Sequence, residues 1–281
     1  MIAYLRLLRV GTLFSPAADV IAGACLVGTP WSMELVRAAA ASVLVYGAGM
    51  VLNDHADRRE DARQRPERPI PSGAVSAATA LALGFALLAA GIAISPFVAF
   101  WATLAILVLA YDYLLKRSPA LGACTMGALR GMNLLAGAVV ATSTLPEDRM
   151  VWIAAGVYAA YIVAVTVLGI FEDEPKVRPR AVVAVQTVPP LTAPLVLLGL
   201  ERPWPAAALG FVLAVLFARR VRGRGQDWNQ AAIRQSMTWL LLGTMCYTSL
   251  LCLGSGRWLE SVGIAAAIPI ARSISKRIAL T

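Results

Sequence analysis

Residues that usually carry chemistry are scarce in this sequence. Its 281 positions include one histidine and four cysteines. The cysteines, Cys25, Cys124, Cys246 and Cys252, lie in apolar stretches and form no C-x-x-C pair. That argues against a thiolate metal site or a disulfide framework and leaves them as small buried hydrophobes. The histidine, His55, reads as a surface or loop residue and is assigned no role. Charge is thin too, at 15% of residues, and no stretch has the composition of a sizeable soluble domain, a short-period repeat or a low-complexity tract. The net surplus of nine positive charges would suit nucleic acid. The basic residues, however, sit in short loops between apolar runs, as they do in membrane proteins, so nucleic acid is not expected as a partner.

What is abundant is apolar. The chain is 59% hydrophobic with a mean hydropathy of +0.70, a membrane composition at a length that suits one bundle. Apolar runs occupy 11–29, 34–52, 74–94, 97–115, 119–142, 150–170, 181–200, 204–221, 233–254 and 258–271. The first nine have the ~17–25 residues that a crossing helix needs, and the last is marginal. Their length excludes barrel strands. The expected fold is therefore all-α: a polytopic transmembrane bundle of nine to ten helices, one domain over 1–281. Arg6 and Arg9 ahead of an apolar run mimic a signal peptide, but Pro16 and Asp19 interrupt the run and further spans follow, so an uncleaved first helix is expected.

Grouping the N-terminus, every second loop and the C-terminus on one side collects twenty Lys and Arg against four, with Arg130 inside the fifth run. By the positive-inside rule that side is cytoplasmic. The expected location is a multi-pass protein of a bacterial inner membrane with both termini in the cytoplasm.

The polar residues concentrate between the second and third runs, in Asn53-Asp54-His55-Ala56-Asp57-Arg58-Arg59-Glu60-Asp61 and on to Arg65-Pro66-Glu67-Arg68-Pro69-Ile70-Pro71-Ser72-Gly73. Read as helix, Asn53, Asp57 and Asp61 share a face, with Asp54 one step round. Stacked acids repel unless a hard cation sits between them, and carboxylate plus amide oxygens suit Mg²⁺. The alternative is a solvated charged loop. Inside the first run Asp19 is either a site-lining acid or half of a helix–helix hydrogen bond. Three residues before it, Pro16 leaves a carbonyl free and favours a kink.

N-D-x-x-D-x-x-x-D followed by R-P-x-R-P-I-P-S-G resembles the first aspartate-rich motif of the UbiA superfamily of intramembrane prenyltransferases. The resemblance implies a Mg²⁺-dependent transfer of a prenyl group from a polyprenyl diphosphate to a small lipophilic acceptor, aromatic or alcohol, with membrane lipid around the bundle. Asn53, Asp54, Asp57 and Asp61 would hold Mg²⁺-diphosphate. Tyr111-Asp112-Tyr113-Leu114-Leu115-Lys116-Arg117 is similar to a family segment whose lysine holds diphosphate, which implicates Lys116 with Tyr113. Interfacial anchoring is the alternative for both, and Asp112 is a spare charge that would pair with Lys116. Arg130 and Asn133, three residues apart, resemble the family's Arg-Gly segment and would face the same cavity and bind diphosphate there. A membrane-buried Arg130 requires a phosphate or a carboxylate partner. Arg68 and Arg65 would contact diphosphate or anionic lipid headgroups. The second aspartate-rich motif falls at Glu172-Asp173-Glu174-Pro175-Lys176-Val177, where the expected acid-x3-acid spacing is broken. Glu172 and Asp173, with Glu174 as a further candidate, would hold a second Mg²⁺. The broken motif and the extra last run also motivate a second hypothesis: a non-catalytic component, as in an EboC-like branch, that binds or carries the lipid precursor.

Overall fold

The computed structural model describes residues 1–28, 31–173, 178–224 and 228–280, with the backbone only for Asp173, Ala279 and Leu280. Among these residues every regular element is helical. In chain order they are α1 (Ile2–Leu7), α2 (Phe14–Leu26), α3 (Met33–Gln64), α4 (Ala77–Ile94), α5 (Val98–Tyr113), α6 (Pro119–Thr142), α7 (Arg149–Asp173), α8 (Pro179–Thr192), α9 (Pro194–Leu197), α10 (Pro203–Arg222), α11 (Gln230–Gly254) and α12 (Trp258–Leu280), with 3-10 turns at Val10–Thr12 and Leu115–Arg117. Eight helical segments among the described residues are long and apolar enough to cross a bilayer, with α8 and α9 together forming one of them. Val10–Leu26 is a shorter apolar helix and α12 is not among the eight, so length and composition establish eight of the nine to ten crossings expected.

Local chemistry sets the helix ends. Ser32 Oγ accepts the Leu35 amide at 3.1 Å, Ser76 Oγ the Thr79 amide at 3.0 Å and Asn229 Oδ1 the Ala232 amide at 2.9 Å. Each supplies an oxygen to an otherwise unpaired first-turn donor. Helix α3, at 32 residues, is about 48 Å long, more than the ~30 Å apolar core of a bilayer needs. Its surplus is the acidic motif. The motif is thus not a loop but the last turns of the second span, ended after Gln64 by the run of Pro66, Pro69 and Pro71.

Helices α2 and α6 form the centre of the bundle. They contribute to both large buried clusters, one shared with α3, α4 and α5 and the other with α7, α10, α11 and α12. Their backbones touch. A Cβ on Gly137 would overlap the carbonyl of Val20, and one on Gly23 the carbonyl of Leu134. The same device seats α6 on α7, where a Cβ on Gly127 would come within 2.6 Å of the Ala159 carbonyl oxygen. Between apolar helices in lipid, close van der Waals approach replaces the hydrophobic effect as the association force, which explains the small residues.

Candidate active site

At the end of the second span the motif divides into two sets of contacts. Asn53 Nδ2 donates to Asp57 Oδ2 at 3.2 Å, and Lys116 Nζ lies 2.6 Å from Asp57 Oδ1 and 2.9 Å from Asn53 Oδ1. On the other side Arg68 Nη1 bridges Asp61, at 2.7 Å, and Asp54, at 3.5 Å, while Arg9 Nη2 reaches Asp54 at 2.8 Å. Asp61 therefore groups with Asp54 and not with Asn53 and Asp57, which corrects the expected single face. Helical geometry is the reason. Steps of four residues drift about 40° each, so two steps carry Asp61 round the helix, whereas seven residues nearly close two turns.

Lys116 reaches the motif because α5 breaks at Leu114 into the 3-10 turn Leu115–Arg117. Tyr113, expected beside it on diphosphate, instead places its hydroxyl 3.0 Å from His55 Nδ1. Asp112 does not take Lys116, whose ammonium is committed to Asp57 and Asn53. Arg9 went unrecognised as a site residue in the sequence. It has a left-handed backbone (φ 48°), a costly conformation for a side-chain-bearing residue, and from there its guanidinium meets an aspartate 45 positions away. Nothing in its local sequence marks it.

Below the mouth lies a chamber of about 170 Å³ lined by Asn53, Tyr46, Trp101, Asp112, Arg130 and Asn133 together with apolar Val45, Leu104, Val108 and Leu129. Arg130 and Asn133 share this cavity, as expected, but their polar contacts belong largely to the protein. Arg130 Nη2 lies 3.1 Å from Asp19 Oδ2 and 2.6 Å from the Tyr158 hydroxyl. Asn133 Nδ2 donates to Asp19 Oδ2 and to the Pro16 carbonyl, each at 2.9 Å, and Tyr158 donates to Asp19 Oδ1 at 2.7 Å. Asp19 is fully buried. It is therefore the carboxylate partner of Arg130, and the two tie α2, α6 and α7 together. Pro16 falls in the first turn of α2, where its missing N–H costs no intrahelical bond, and the Thr12 carbonyl accepts from Ser15 Oγ at 3.2 Å.

Glu172 lies apart from the first motif in its contacts. Its Oε1 accepts from Arg234 Nη2 at 2.7 Å and Nε at 3.0 Å. The Asp173 side chain and Glu174 fall outside the described residues, as does the rest of the second motif through Val177. Among the described residues no three His, Cys, Asp or Glu side chains converge as a complete metal cage. Mg²⁺ does not ask for one, since it binds one or two carboxylates together with substrate phosphate and water. Asp57 and Asn53, two hard oxygen ligands one helical turn apart, fit that partial set, with Asp54 and Asp61 adjacent.

Comparison with known proteins agrees with this architecture. The family model "UbiA prenyltransferase family" matches residues 18–242, and the chain belongs to that family. A digeranylgeranylglyceryl phosphate synthase from Ignicoccus hospitalis is 36% identical over 142 residues, covering 49% of this chain and 46% of the relative. The enzyme of the same name from Methanopyrus kandleri is 29% identical over 194 residues, covering 67% and 69%. The match thus spans about half of the first relative's length and about two thirds of the second's. A UbiA homologue from Archaeoglobus fulgidus, solved with DMAPP and Mg²⁺, superposes with a TM-score of 0.64 at 15% identity, over 89% of this chain and 98% of that one, a likeness of fold. These relatives are archaeal, so the expected bacterial membrane gains no support from them.

Proposed function

We propose that this protein is a Mg²⁺-dependent intramembrane prenyltransferase that moves a polyprenyl group from its diphosphate to the hydroxyl of a lipophilic alcohol. The observation that carries the reading is Lys116 held at 2.6 Å from Asp57 and 2.9 Å from Asn53, at the rim of a chamber with apolar walls. Lys116, Arg68 and Arg9 would neutralise the diphosphate oxygens whose charge builds as the C–O bond breaks. Asn53, Asp54, Asp57 and Asp61 would hold Mg²⁺, which when bound adds Lewis-acid stabilisation of the same leaving group. Glu172 and Asp173 remain the candidates for a second Mg²⁺, for which Glu172 would have to give up Arg234. The apolar walls exclude water, which would otherwise capture the allylic cation. At about 170 Å³ the chamber is below the ~300 Å³ of ordinary ligand sites. It therefore takes the reactive end of the donor, while the tail passes between helices into lipid.

An alcohol acceptor is favoured over an aromatic one by the names of the relatives, whose product carries prenyl groups on glyceryl phosphate. The charge bias supports a cytoplasmic mouth, and the mutual packing of α2 and α6 against both halves supports one domain over 1–281. The test is purified protein with Mg²⁺, labelled geranylgeranyl diphosphate and geranylgeranylglyceryl phosphate. The expected result is release of pyrophosphate and a doubly prenylated lipid. Tight donor binding with no pyrophosphate released would instead mark a carrier of lipid precursor.

A further inference from the structure

The mouth cluster and the Asp19 network leave one membrane-embedded acid unused. Asp112, on α5, is 3% exposed, and its Oδ2 has no hydrogen-bond partner among the described residues. Two more buried polar atoms are in the same position, Trp101 Nε1 and Arg130 Nη1. All three belong to residues that line the one chamber of about 170 Å³. A buried polar atom without a partner is costly, and a carboxylate in a membrane span more so. These atoms do not meet at one group, because Trp101 lies eleven residues before Asp112 on α5, about 16 Å along the helix axis. Asp112 Oδ2 is the buried oxygen of the chamber that has no partner, and a hydroxyl group fits it, since a hydroxyl donates one hydrogen bond. The charged groups that act on Asp112 are Lys116, Asp57, Asp54 and Arg9, two cations against two anions. They lie towards the mouth, whereas Trp101 and Val108 on α5 and Leu129 on α6 form the apolar side of the chamber.

We propose that Asp112 is the base that takes the proton of the acceptor hydroxyl. The inference rests on the prenyl-transfer reading above and adds the place where the acceptor reacts. In the step, the C1–O bond of the prenyl diphosphate breaks and its electron pair leaves with diphosphate. The acceptor oxygen forms a bond to C1, and the proton of that hydroxyl passes to Asp112 Oδ2, which returns it to water at the mouth. No oxidant or further reactant is needed.

The experiment follows pyrophosphate and coupled product separately, using geranylgeranyl diphosphate, geranylgeranylglyceryl phosphate and Mg²⁺. Asp112→Asn keeps the shape and removes the base. Coupling is expected to fall by about 10²–10⁴, the usual contribution of a positioned base. Donor binding should stay within a factor of about three, well inside that range, and the prenyl group that still ionises should appear as free prenyl alcohol. Asp112→Glu should recover part of the coupling. If Asp112→Asn does not fold, Asp112→Glu serves as the test, with coupling expected below the wild-type rate and KM for the donor unchanged. Coupling by Asp112→Asn near the wild-type rate, or equal loss of donor binding and coupling, overturns the assignment while leaving prenyl transfer intact. A wild-type protein that binds both substrates yet releases no pyrophosphate overturns both.

Discussion

Two acid–base pairs in this bundle look alike on paper and differ in every physical respect. Asp19 and Arg130 sit between helices with side chains 1% and 8% exposed, and Asn133 and Tyr158 also bond the carboxylate. Asp57 and Lys116 sit at the rim, 28% and 18% exposed, and share a hydrogen-bonded neighbour in Asn53. The first carboxylate is saturated by its own protein and has little capacity for an incoming ligand. The second is tethered lightly and open to exchange. A desolvated pair whose carboxylate is fully hydrogen-bonded holds architecture, whereas a half-satisfied pair at the edge of water can hand its charges to a substrate.

Breaking the rim pair should give the largest effect. Asp57→Ala and Lys116→Ala are each expected to lower prenyl transfer by at least about 10²–10³, the loss typical of one oxyanion-stabilising group, with little change in thermal unfolding in detergent. Full turnover in either variant would remove the rim pair from the mechanism. The interior pair should respond the other way. Asp19→Ala leaves a guanidinium buried between helices without its carboxylate and is expected to cost about 3–5 kcal/mol of stability, read as a lower denaturation midpoint. Replacing both partners by apolar residues, Asp19→Leu with Arg130→Met, should cost less than the single change. That ordering is the sharpest test of a structural role for Asp19.

A smaller effect is expected from Gly137→Ala. The added methyl meets the Val20 carbonyl and should cost about 1–3 kcal/mol, as overpacking does, separating α2 from α6 without touching a charge. The smallest concerns Glu172, whose side chain is 9% exposed and whose partner Arg234 is 60% exposed. With the arginine open to water the pair contributes about 1 kcal/mol at most, and Glu172→Gln, which keeps an acceptor oxygen for Arg234, should barely move stability. If Glu172 exchanges Arg234 for metal, the same variant will raise the Mg²⁺ concentration needed for half-maximal transfer. An unchanged Mg²⁺ titration would retire Glu172 as a ligand.

Much of this was legible in the sequence, for identifiable reasons. Spans announce themselves by length and composition, whereas Asn53, Asp57 and Lys116 stood out through resemblance to family motifs at the ends of apolar runs. The fine sorting was not legible. Placing Asp61 with Asp54 requires the accumulated drift of a real helix, which an i, i+4, i+8 template ignores. The partners of Asp19 are 111 and 139 positions away, and no local pattern announces a contact set by helix packing. Arg9 was hidden for a similar reason: near the start of a membrane chain a basic residue already has a topological explanation, so its second use leaves no trace. The number of crossings stayed open because α2 is short and α12 carries charge in its last turns, both at the edge of what hydropathy can decide.

The arginine that straddles Asp54 and Asp61, with Arg9 and Lys116 alongside, has a practical consequence. These aspartates bring their own counterions, so they do not depend on magnesium to lie close together. Protein stripped with a chelator should keep its shape and melt as before, losing only turnover, and adding the ion back should restore the reaction without any refolding step.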